Sequence, residues 1–443
     1  MILIGNGRLI TQDDTCPYIE DGAVAADGEL IIEIGTTADL KAKYPDAEFT
    51  DAAGRVIMPG LINAHTHIYS SFARGMSLEQ PEPNKNFMEI LENMWWRMDK
   101  SLTLEDTKYS AYSTGLESLK YGVTTIFDHH ASPHHITGSL HTIGEAAKDV
   151  GIRSVLCYEV SDRDGKAAAM EGIDENISFI DEAAADKSDR IHGMLGLHAS
   201  FTLSPETLEK AVLAMGSRNA GYHVHVAEGI ADVYDSLKKY GKRCVDRLFD
   251  AGILGEKAIA AHCIHIDGRE MDILKSTGTA VVHNAESNMG NAVGCANIME
   301  LIRRGVLLGM GTDAYTQDMF ESLKVANIIH KHNLADPRVG FMETYDMLFN
   351  NNRKIAARYF DKPLGILKAG AYADIILVDY TPHTPMDENT IRGHIIFGMM
   401  GRSVDTVMVG GKFVMEDREV KSVDEPAVLA KARAQSADFW KRV

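Results

Sequence analysis

Eight short apolar segments alternate with amphipathic stretches between residues 61 and 310, and this alternation constrains the fold more than any other feature of the chain. The segments lie near residues 61–67, 124–128, 154–158, 194–198, 222–226, 259–262, 280–282 and 307–310. Apolar runs of this length are typical of strands that are buried on both faces of a parallel sheet. Eight such strands separated by helices predict an α/β fold, a (β/α)8 barrel of the TIM type.

Both ends of the chain have a different pattern, of strands and turns. Residues 1–57 contain apolar runs around the hairpin signal Asp27-Gly28, and residues 373–378 and 404–414 are again strand-like. We therefore predict a small discontinuous β-sandwich domain from residues 1–57 and 368–420. The barrel then spans residues 58–367, and residues 421–443 supply a C-terminal helix that packs on the body.

Charge and composition narrow the class of partner. The chain has 443 residues and a formal net charge of -18, from 45 basic and 63 acidic residues. Clustered Lys and Arg bind phosphate backbones, so this balance argues against a nucleic-acid partner. No apolar run approaches the roughly 18 residues of a membrane helix, and the N-terminus lacks a secretory pattern. The five cysteines lie far apart without CxxC spacing. We expect a cytoplasmic protein without nucleic-acid or membrane partners.

The first predicted barrel strand carries a pair of histidines in the run MPGLINAHTHI, residues 58–68. Residues two apart on a strand point to the same side, so the imidazoles of His65 and His67 can face one point. Imidazole is the commonest metal ligand, but a half-exposed strand can carry two such histidines without a metal. The remaining ligands have to come from other strands.

Ionisable residues end almost every predicted strand. They are His65, His67, Asp128, His129, His130, His198, His225 with Glu228 just beyond, His262, His283 and Asp313, while Glu159 follows the third strand. The carboxyl ends of barrel strands converge on one mouth, where barrel enzymes have their active sites. For His129, His130, His134 and His135, an ordinary buried role and a role in supporting a ligand are both open.

Three neutral imidazoles and one carboxylate with an open position describe a catalytic zinc or iron site. The candidate ligands are His65, His67, His225 and Asp313. Water activated by a divalent metal attacks an unsaturated carbon, and its proton must then reach the leaving group. Glu228 is the candidate proton carrier, and His262 is placed to orient the water or polarise the carbon. Asp313 is thus a candidate for catalysis as well as for metal binding.

Several ordered runs carry a family resemblance: PGLINAHTHI, GLHASFTLSPE, HVHVAE, AAHCIHI, VVHNAESNMG and GMGTDA, followed by LGILKAGAYADIILVD. With these runs the chain resembles the amidohydrolase superfamily, in its aminohydrolase (deaminase) branch, over nearly its whole length. The runs NMWWRMDKSL, IFDHHASP, SDRDG, HNAESNM and HIIFGMM are most similar to SsnA-type aminohydrolases, which are near relatives of guanine and 8-oxoguanine deaminases.

The resemblance implies that His65, His67, His225 and Asp313 bind one divalent metal per subunit, zinc or else iron. It implies that Glu228 shuttles the proton, that His262 lies at the reacting carbon and that His198 contacts the substrate. Binuclear members use a carboxylated lysine in strand four, and the run IHGMLGLHASF has no lysine. The resemblance also suggests a homodimer.

One departure from the family pattern concerns strand seven. Relatives often read HNPxSN there, whereas this chain reads HNAESN, with Glu286 in the altered loop. The lost proline and the added carboxylate change the shape and charge of that loop, which places the transfer of purine specificity in doubt.

The leading functional hypothesis is hydrolytic deamination of a small purine-like or other N-heterocyclic molecule. Trp95, or its neighbour Trp96, could stack on a planar ring, and packing of the long loop onto the barrel is an equally open role. One alternative is ring opening of a cyclic amide at the same metal site. A remoter one is a non-catalytic metal-binding protein on an enzyme scaffold.

Overall fold

The computed structural model describes residues 1–78 and 82–443. The strands are β1 (Ile2–Ile10), β2 (Tyr18–Asp27), β3 (Leu30–Thr36), β4 (Glu48–Asp51), β5 (Val56–Pro59), β6 (Leu61–Thr66), β7 (Val123–His130), β8 (Arg153–Val160), β9 (Ile191–Gly193), β10 (Leu195–Ala199), β11 (Tyr222–Val226), β12 (Ile259–His262), β13 (Ala280–His283), β14 (Leu308–Met310), β15 (Ile375–Val378), β16 (Val404–Val409), β17 (Lys412–Glu416) and β18 (Glu419–Val420).

The α-helices are α1 (Thr37–Lys43), α2 (Phe87–Ile90), α3 (Trp96–Ser101), α4 (Leu104–Lys120), α5 (Ser139–Val150), α6 (Lys166–Ala185), α7 (Pro205–Met215), α8 (Ile230–Tyr240), α9 (Cys244–Asp250), α10 (Gly268–Thr277), α11 (Ala285–Gly290), α12 (Ile298–Arg303), α13 (Met319–Leu334), α14 (Phe341–Asp346), α15 (Asn352–Ala356), α16 (Ile391–Gly398) and α17 (Glu425–Phe439). In the described part of the chain, no helix is long and apolar enough to cross a membrane.

The predicted barrel is confirmed. All eight predicted segments form parallel strands, which lie side by side in the order β6, β7, β8, β10, β11, β12, β13 and β14. The first and last strands meet at a seam, where the carbonyl of His65 accepts hydrogen bonds from the N–H groups of Thr312 at 3.0 Å and Asp313 at 2.9 Å. The seam nearly closes the barrel, and it does so at the end of the strands where candidate ligands lie.

A separate nine-stranded sheet is built from both termini. Its order is β18-β17-β16-β15-β5-β1-β2-β3, with β4 paired to β1. The two parts of the chain meet where β5 runs antiparallel to β15. The small discontinuous β domain is therefore confirmed, and its hydrogen bonds link all of its strands into one continuous sheet. The exact limits 57/58 and 367/368 stay predictions.

One residue, Gly60, separates the terminal sheet from the barrel, because β5 ends at Pro59 and β6 begins at Leu61. The N–H of Gly60 donates to the carbonyl of Asp374 at 3.0 Å. A Cβ at this position would lie 2.2 Å from Oγ1 of Thr124, so no other residue fits without displacing the second barrel strand. The close approach fixes how β6 leaves the sheet.

The long insertion after β6 contributes α2, a π-helical turn at Leu91–Trp95 and α3. The sequence predicts this insertion over residues 69–101, between the first and second barrel strands, and Pro81 within it lies outside the described residues. The C-terminal helix α17 begins at the cap Asp424, whose side chain accepts from the N–H of Ala427 at 3.0 Å. Trp440 anchors its other end by donating Nε1–H to the carbonyl of Phe72 at 2.6 Å. The C-terminal helix thus holds the start of the insertion.

A fully buried ion pair joins the barrel to the terminal sheet. Nε of Arg153, in β8, lies 2.9 Å from Oδ2 of Asp374. Nη2 of Arg153 lies 3.2 Å from Oδ1 of the same carboxylate. The same carboxylate accepts from the N–H of Gly410 at 2.8 Å. A buried charge pair with this many hydrogen bonds is tolerated only while both partners are present.

We expect Arg153→Met to destabilise the protein, because it leaves the carboxylate of Asp374 buried without its cation. The free energy of unfolding should fall by about 3–5 kcal/mol, the usual cost of breaking a buried pair, and urea denaturation measures it. Lys166→Met removes an exposed pair with Glu206 and is the matched control, which should leave the urea midpoint unchanged. Equal midpoints for both variants would contradict a structural role for the buried pair.

Candidate functional site

Four candidate ligands from three parts of the barrel converge at the carboxyl ends of the strands. His65 and His67 come from the end of β6, His225 from β11 and Asp313 from the turn after β14. Nε2 of His67 lies 3.0 Å from Oδ1 of Asp313 and 3.2 Å from Nε2 of His225. Nε2 of His65 lies 3.6 Å from Oδ1 of Asp313. The structure brings all four predicted ligands together.

The hydrogen bonds on the far side of two imidazoles indicate their tautomers. Nδ1 of His67 lies 2.5 Å from the carbonyl oxygen of His129, and Nδ1 of His225 lies 3.0 Å from that of His198. A carbonyl oxygen only accepts, so each Nδ1 carries the proton and donates. When both rings are neutral, the lone pairs on Nε2 of His67 and Nε2 of His225 therefore point toward each other, beside the carboxylate of Asp313. This repulsive arrangement is relieved by a cation between them.

His65 completes the same pattern through another imidazole. Its Nδ1 lies 2.9 Å from Nε2 of His223, and its own Nε2 is buried with no hydrogen-bond partner among the described residues. A buried nitrogen without a partner is costly, and a bound metal ion would satisfy it. The donor set of three imidazoles and one carboxylate therefore fits a divalent transition metal such as zinc.

The electrostatics of the group also favour a positive charge at its centre. Burial opposes protonation of His67, but Asp313 raises the pKa of His67 to about 9. Burial likewise works to raise the pKa of Asp313, but the neighbouring imidazoles of His65 and His67 hold it well below its usual value. Burial lowers the pKa of His65 to about 3. The site thus retains an anionic carboxylate and takes up one cation, a proton or a metal ion.

The two proposed proton-handling residues lie beside this group. Nε2 of His262 is 3.5 Å from Oε2 of Glu228 and 3.8 Å from Oδ2 of Asp313. Nδ1 of His262 is 2.8 Å from the side-chain oxygen of Asn288, which orients the ring. Burial, and next the charge of Asp313, raise the pKa of Glu228 well above its usual value. A raised pKa suits a carboxyl group that exchanges a proton with a substrate.

Several residues at the same strand ends have a left-handed backbone conformation. His262, Cys263 and Asp313 have φ angles of 70°, 52° and 56°, and Ala227, next to Glu228, has 47°. Residues with a Cβ rarely adopt this left-handed region, and such positions persist where the surrounding structure enforces them. Here the seam and the strand pairing impose the conformation that aims the site residues.

Two adjoining cavities open beside the group and share Phe87, Leu91, His198, His225 and Glu228. The cavity that also contains His67 and Asp313 in its lining, here called the polar cavity, is bordered by Trp95 and Trp96 from the insertion. The ring of Trp96 lies 6.2 Å from that of His198, and Trp95 lies 6.2 Å from Tyr69. The structure thus places His198 and Trp95 at the cavity as expected, and Trp96 is the tryptophan nearer to His198.

The other histidines divide into supporting and unrelated residues. His129 supports the site, since its carbonyl accepts from His67. His130 is buried, with Nε2 at 3.0 Å from the hydroxyl of Ser132, and His134 and His135 are exposed. His283 pairs with His330 at 3.0 Å. Of these, only His129 touches a candidate ligand through a hydrogen bond within the described residues.

Several residues of the site were not identified from the sequence. His223 contacts His65, Ser287 donates to Asp313, and Asn288 contacts His262. The runs HVHVAE and HNAESNM contain all three, so strand periodicity could have indicated His223, which lies two residues before His225. No sequence signal indicates that Asp99 and Arg163 line or support the cavity wall, because their pairing joins helix α3 to the loop after β8.

Comparison with known proteins gives a consistent family. The amidohydrolase family model matches residues 56–414, and a bacterial imidazolonepropionase-like composite domain matches residues 22–47. A 5-methylthioadenosine/S-adenosylhomocysteine deaminase of Pelotomaculum thermopropionicum is 30% identical over 439 residues, which cover 98% of each chain. A 5'-deoxyadenosine deaminase of Methanosarcina mazei is 30% identical over 449 residues, covering 100% of this chain and 99% of its own.

Solved structures share the fold. An adenosine deaminase from Xanthomonas campestris with bound zinc has a TM-score of 0.88 at 24% identity and covers 100% of this chain and 99% of its own. A mutant of atrazine chlorohydrolase TrzN from Arthrobacter aurescens, in complex with zinc and atraton, has a TM-score of 0.85 at 23% identity. It covers 98% of this chain and 100% of its own.

The similarities confirm the expectation of a hydrolase that acts on carbon–nitrogen bonds, and the clusters of His and Asp support a metal site. The family model matches most of the chain, and relatives at 30% identity match it from end to end. The chain belongs to the amidohydrolase family.

Proposed function

We propose that this chain removes an exocyclic amine from a small purine-like N-heterocycle by hydrolysis. The observation that carries the proposal is the position of Glu228, which lies at a cavity beside four converging ligand atoms and has a raised pKa. The names of the relatives, deaminases of adenosine-type compounds, support a purine-like ring.

His65, His67, His225 and Asp313 are the residues that would hold the metal. A divalent metal bound there would supply Lewis-acid chemistry by activating water for attack on the ring carbon. Ser287 donates a hydrogen bond to Oδ2 of Asp313, which leaves Oδ1 directed toward His67. The hydroxyl thereby fixes the orientation of the carboxylate.

The remaining steps of deamination are proton transfers, which the chain's own residues can perform. Glu228 gives its proton to a ring nitrogen as the neighbouring carbon is attacked. His262, held by Asn288, can polarise that carbon or orient the water. Asp313 accepts one proton from the water and passes it to the departing amine. As ammonia leaves and the new carbonyl forms, the remaining proton of the hydroxyl returns to Glu228. Oε2 of Glu228 and Oδ2 of Asp313 lie 3.5 and 3.8 Å from Nε2 of His262, which brings the three groups within reach of one reacting carbon.

The cavity supports a flat substrate. Trp95 and Trp96 offer aromatic faces, and His198, whose Nδ1 lies 2.6 Å from the hydroxyl of Thr202, presents its other nitrogen to the cavity. Stacking on aromatic side chains is worth about 0.5–1.5 kcal/mol beyond the burial of area.

A single zinc ion, a homodimeric assembly and a cytoplasmic location stay predictions. So does the ring's identity.

Metal removal should abolish activity. We expect dialysis against a chelator to eliminate ammonia release and added Zn²⁺ to restore it. A mononuclear site binds about one zinc ion per chain, and elemental analysis measures this content. The His225→Ala variant should contain far less zinc. His141→Ala removes an exposed histidine paired with Glu182 and is the matched control, which should retain its zinc. Full zinc content in His225→Ala would contradict the ligand assignment.

Glu228→Gln should lower the rate of ammonia release from an aminopurine and aminopyrimidine panel by about 10²–10⁴-fold, the usual contribution of a general acid–base residue. Zinc content should not change, because Glu228 is not one of the proposed ligands. Mass spectrometry of the unsubstituted enzyme's product distinguishes the reactions: deamination exchanges an amine for oxygen. A gain of one water with no loss of nitrogen would indicate ring opening and overturn the proposal.

A further inference from the structure

A pair of buried carboxylates forms one wall of the polar cavity. Asp99 from α3 and Glu159 from β8 both line it, and Arg163, four residues after Glu159, lies behind them. Arg163 donates a hydrogen bond to Oδ2 of Asp99, and the same guanidinium nitrogen is 3.6 Å from Oε1 of Glu159. We call Asp99, Glu159 and Arg163 the carboxylate wall.

The two carboxylates of the wall differ in charge. Asp99 and Glu159 are 1% and 6% exposed and share the guanidinium of Arg163. Burial raises the pKa of Asp99 to about 7. Burial also works to raise the pKa of Glu159, but His198, His129 and Arg163 hold it below its usual range. The anionic acceptor at the cavity is therefore Glu159.

The carboxylate wall has buried polar atoms that the described part of the chain does not satisfy, Oδ1 of Asp99 and the Nε and Nη1 donors of Arg163. Of these residues, Asp99 lines the cavity and Arg163 does not, so a ligand in the cavity meets the carboxylates. Oδ1 of Asp99 is buried and has no hydrogen-bond partner among residues 1–78 and 82–443. The nitrogens nearest to the carboxylate of Glu159 belong to His129, Arg163 and His198, at 3.4, 3.6 and 3.9 Å. These distances are longer than good charge-assisted hydrogen bonds. Buried acceptors without partners are rare, so a ligand that donates hydrogen bonds fits here.

The position of Glu159 relative to the proposed metal ligands indicates which part of a substrate it can contact. Oxygens and nitrogens of Glu159, His198 and His225 lie within 4.8 Å of one another, and His225 is a proposed metal ligand. Glu159 thus lies next to a residue of the proposed metal group. The heterocycle itself, rather than a distant substituent, is in reach of Glu159.

A second metal ion is a poorer occupant of this position. The guanidinium of Arg163 already lies 3.6 Å from Glu159 and would repel a cation. His225 has no free nitrogen to offer, because Nδ1 donates to the carbonyl of His198 and Nε2 faces the first metal group. A neutral ring that carries N–H donors meets neither obstacle.

We propose that Glu159, supported by Arg163 and Asp99, accepts a hydrogen bond from a second N–H group of the substrate ring, one that is not released as ammonia. The enzyme would then select heterocycles with a further amino or ring N–H donor, such as diaminopurines and amino-oxo rings, over rings with a single amine. This inference rests on the proposed deamination, for which it names the substrate class.

The test compares ligands that share the same leaving amine. Dissociation constants are measured by calorimetry for adenine against 2,6-diaminopurine, and for adenosine against 2-aminoadenosine, on the zinc-loaded Glu228→Gln protein so that nothing turns over. A hydrogen bond to a charged acceptor predicts about 10–100-fold tighter binding of the diamino member in at least one pair. Equal binding within both pairs, or no binding of either diamino compound, overturns the inference.

Glu159→Gln in the same background identifies the acceptor. The substitution should weaken binding of the diamino compound and leave binding of the monoamino compound nearly constant. The preference for the diamino compound should then fall to less than about 3-fold. Glu286→Gln is the matched control, since Glu286 is a largely buried carboxylate that accepts from Ser322 and lies outside both cavities. A preference that persists unchanged in Glu159→Gln assigns the contact elsewhere and overturns the inference.

Two further measurements separate this inference from the proposed function. Ammonia release by the unsubstituted enzyme is followed on the same four compounds, so that a failure of deamination with the binding preference intact counts against the function alone. The dissociation constants of adenosine and 2',3'-dideoxyadenosine are also compared, and their ratio reports on the sugar hydroxyls. If Glu159→Gln changes this ratio but leaves the ratio between diamino and monoamino compounds unchanged, the donor is a sugar O–H and the inference is wrong.

Discussion

The repulsion among donor lone pairs at the mouth of the barrel is the constraint on which the rest of the site depends. Carbonyl oxygens behind His67 and His225 hold the protons on their Nδ1 atoms, so that both Nε2 atoms face each other 3.2 Å apart beside Asp313. A protein would not retain such an arrangement in a dry interior without a cation. The barrel supplies the rigidity that enforces it, because each supporting carbonyl belongs to a neighbouring strand.

The seam between β6 and β14 connects this constraint to the fold. The carbonyl of His65 accepts two main-chain hydrogen bonds from Thr312 and Asp313, so the bond that closes the barrel also places the carboxylate opposite the histidine pair. The positive φ of Asp313 is retained there because the strand pairing over-determines it. Stability and site geometry therefore share the same few contacts, and the barrel cannot be loosened at this seam without moving a ligand.

The sequence predicts much of this arrangement for identifiable reasons. Strand alternation and the end-of-strand positions of His65, His67, His225 and Asp313 are local patterns, and parallel barrels bring strand ends together. The terminal sheet was also predictable from strand-like runs at both ends. The domain limits are less certain from sequence, because Gly60 alone separates the last strand of one unit from the first of the other.

The substrate side of the site could not be derived in the same way. The contact between Asp99 and Arg163 joins helix α3 to a loop 64 positions further along the chain, and no periodicity relates the two side chains. Trp95 and Trp96 are adjacent in sequence, yet only the local π-helical turn determines that Trp96 lies nearer to His198. Loops that build the cavity follow tertiary packing rather than a repeating pattern, so their roles emerge only from the fold.

Anomalous diffraction at the zinc edge, from crystals of the zinc-loaded protein, tests the central claim most directly. The account predicts one peak per chain, about 2.0–2.2 Å from Nε2 of His65, His67 and His225 and from one oxygen of Asp313. A second peak between Glu159 and His198, a peak held by a different set of residues, or the absence of a peak in this group would contradict it.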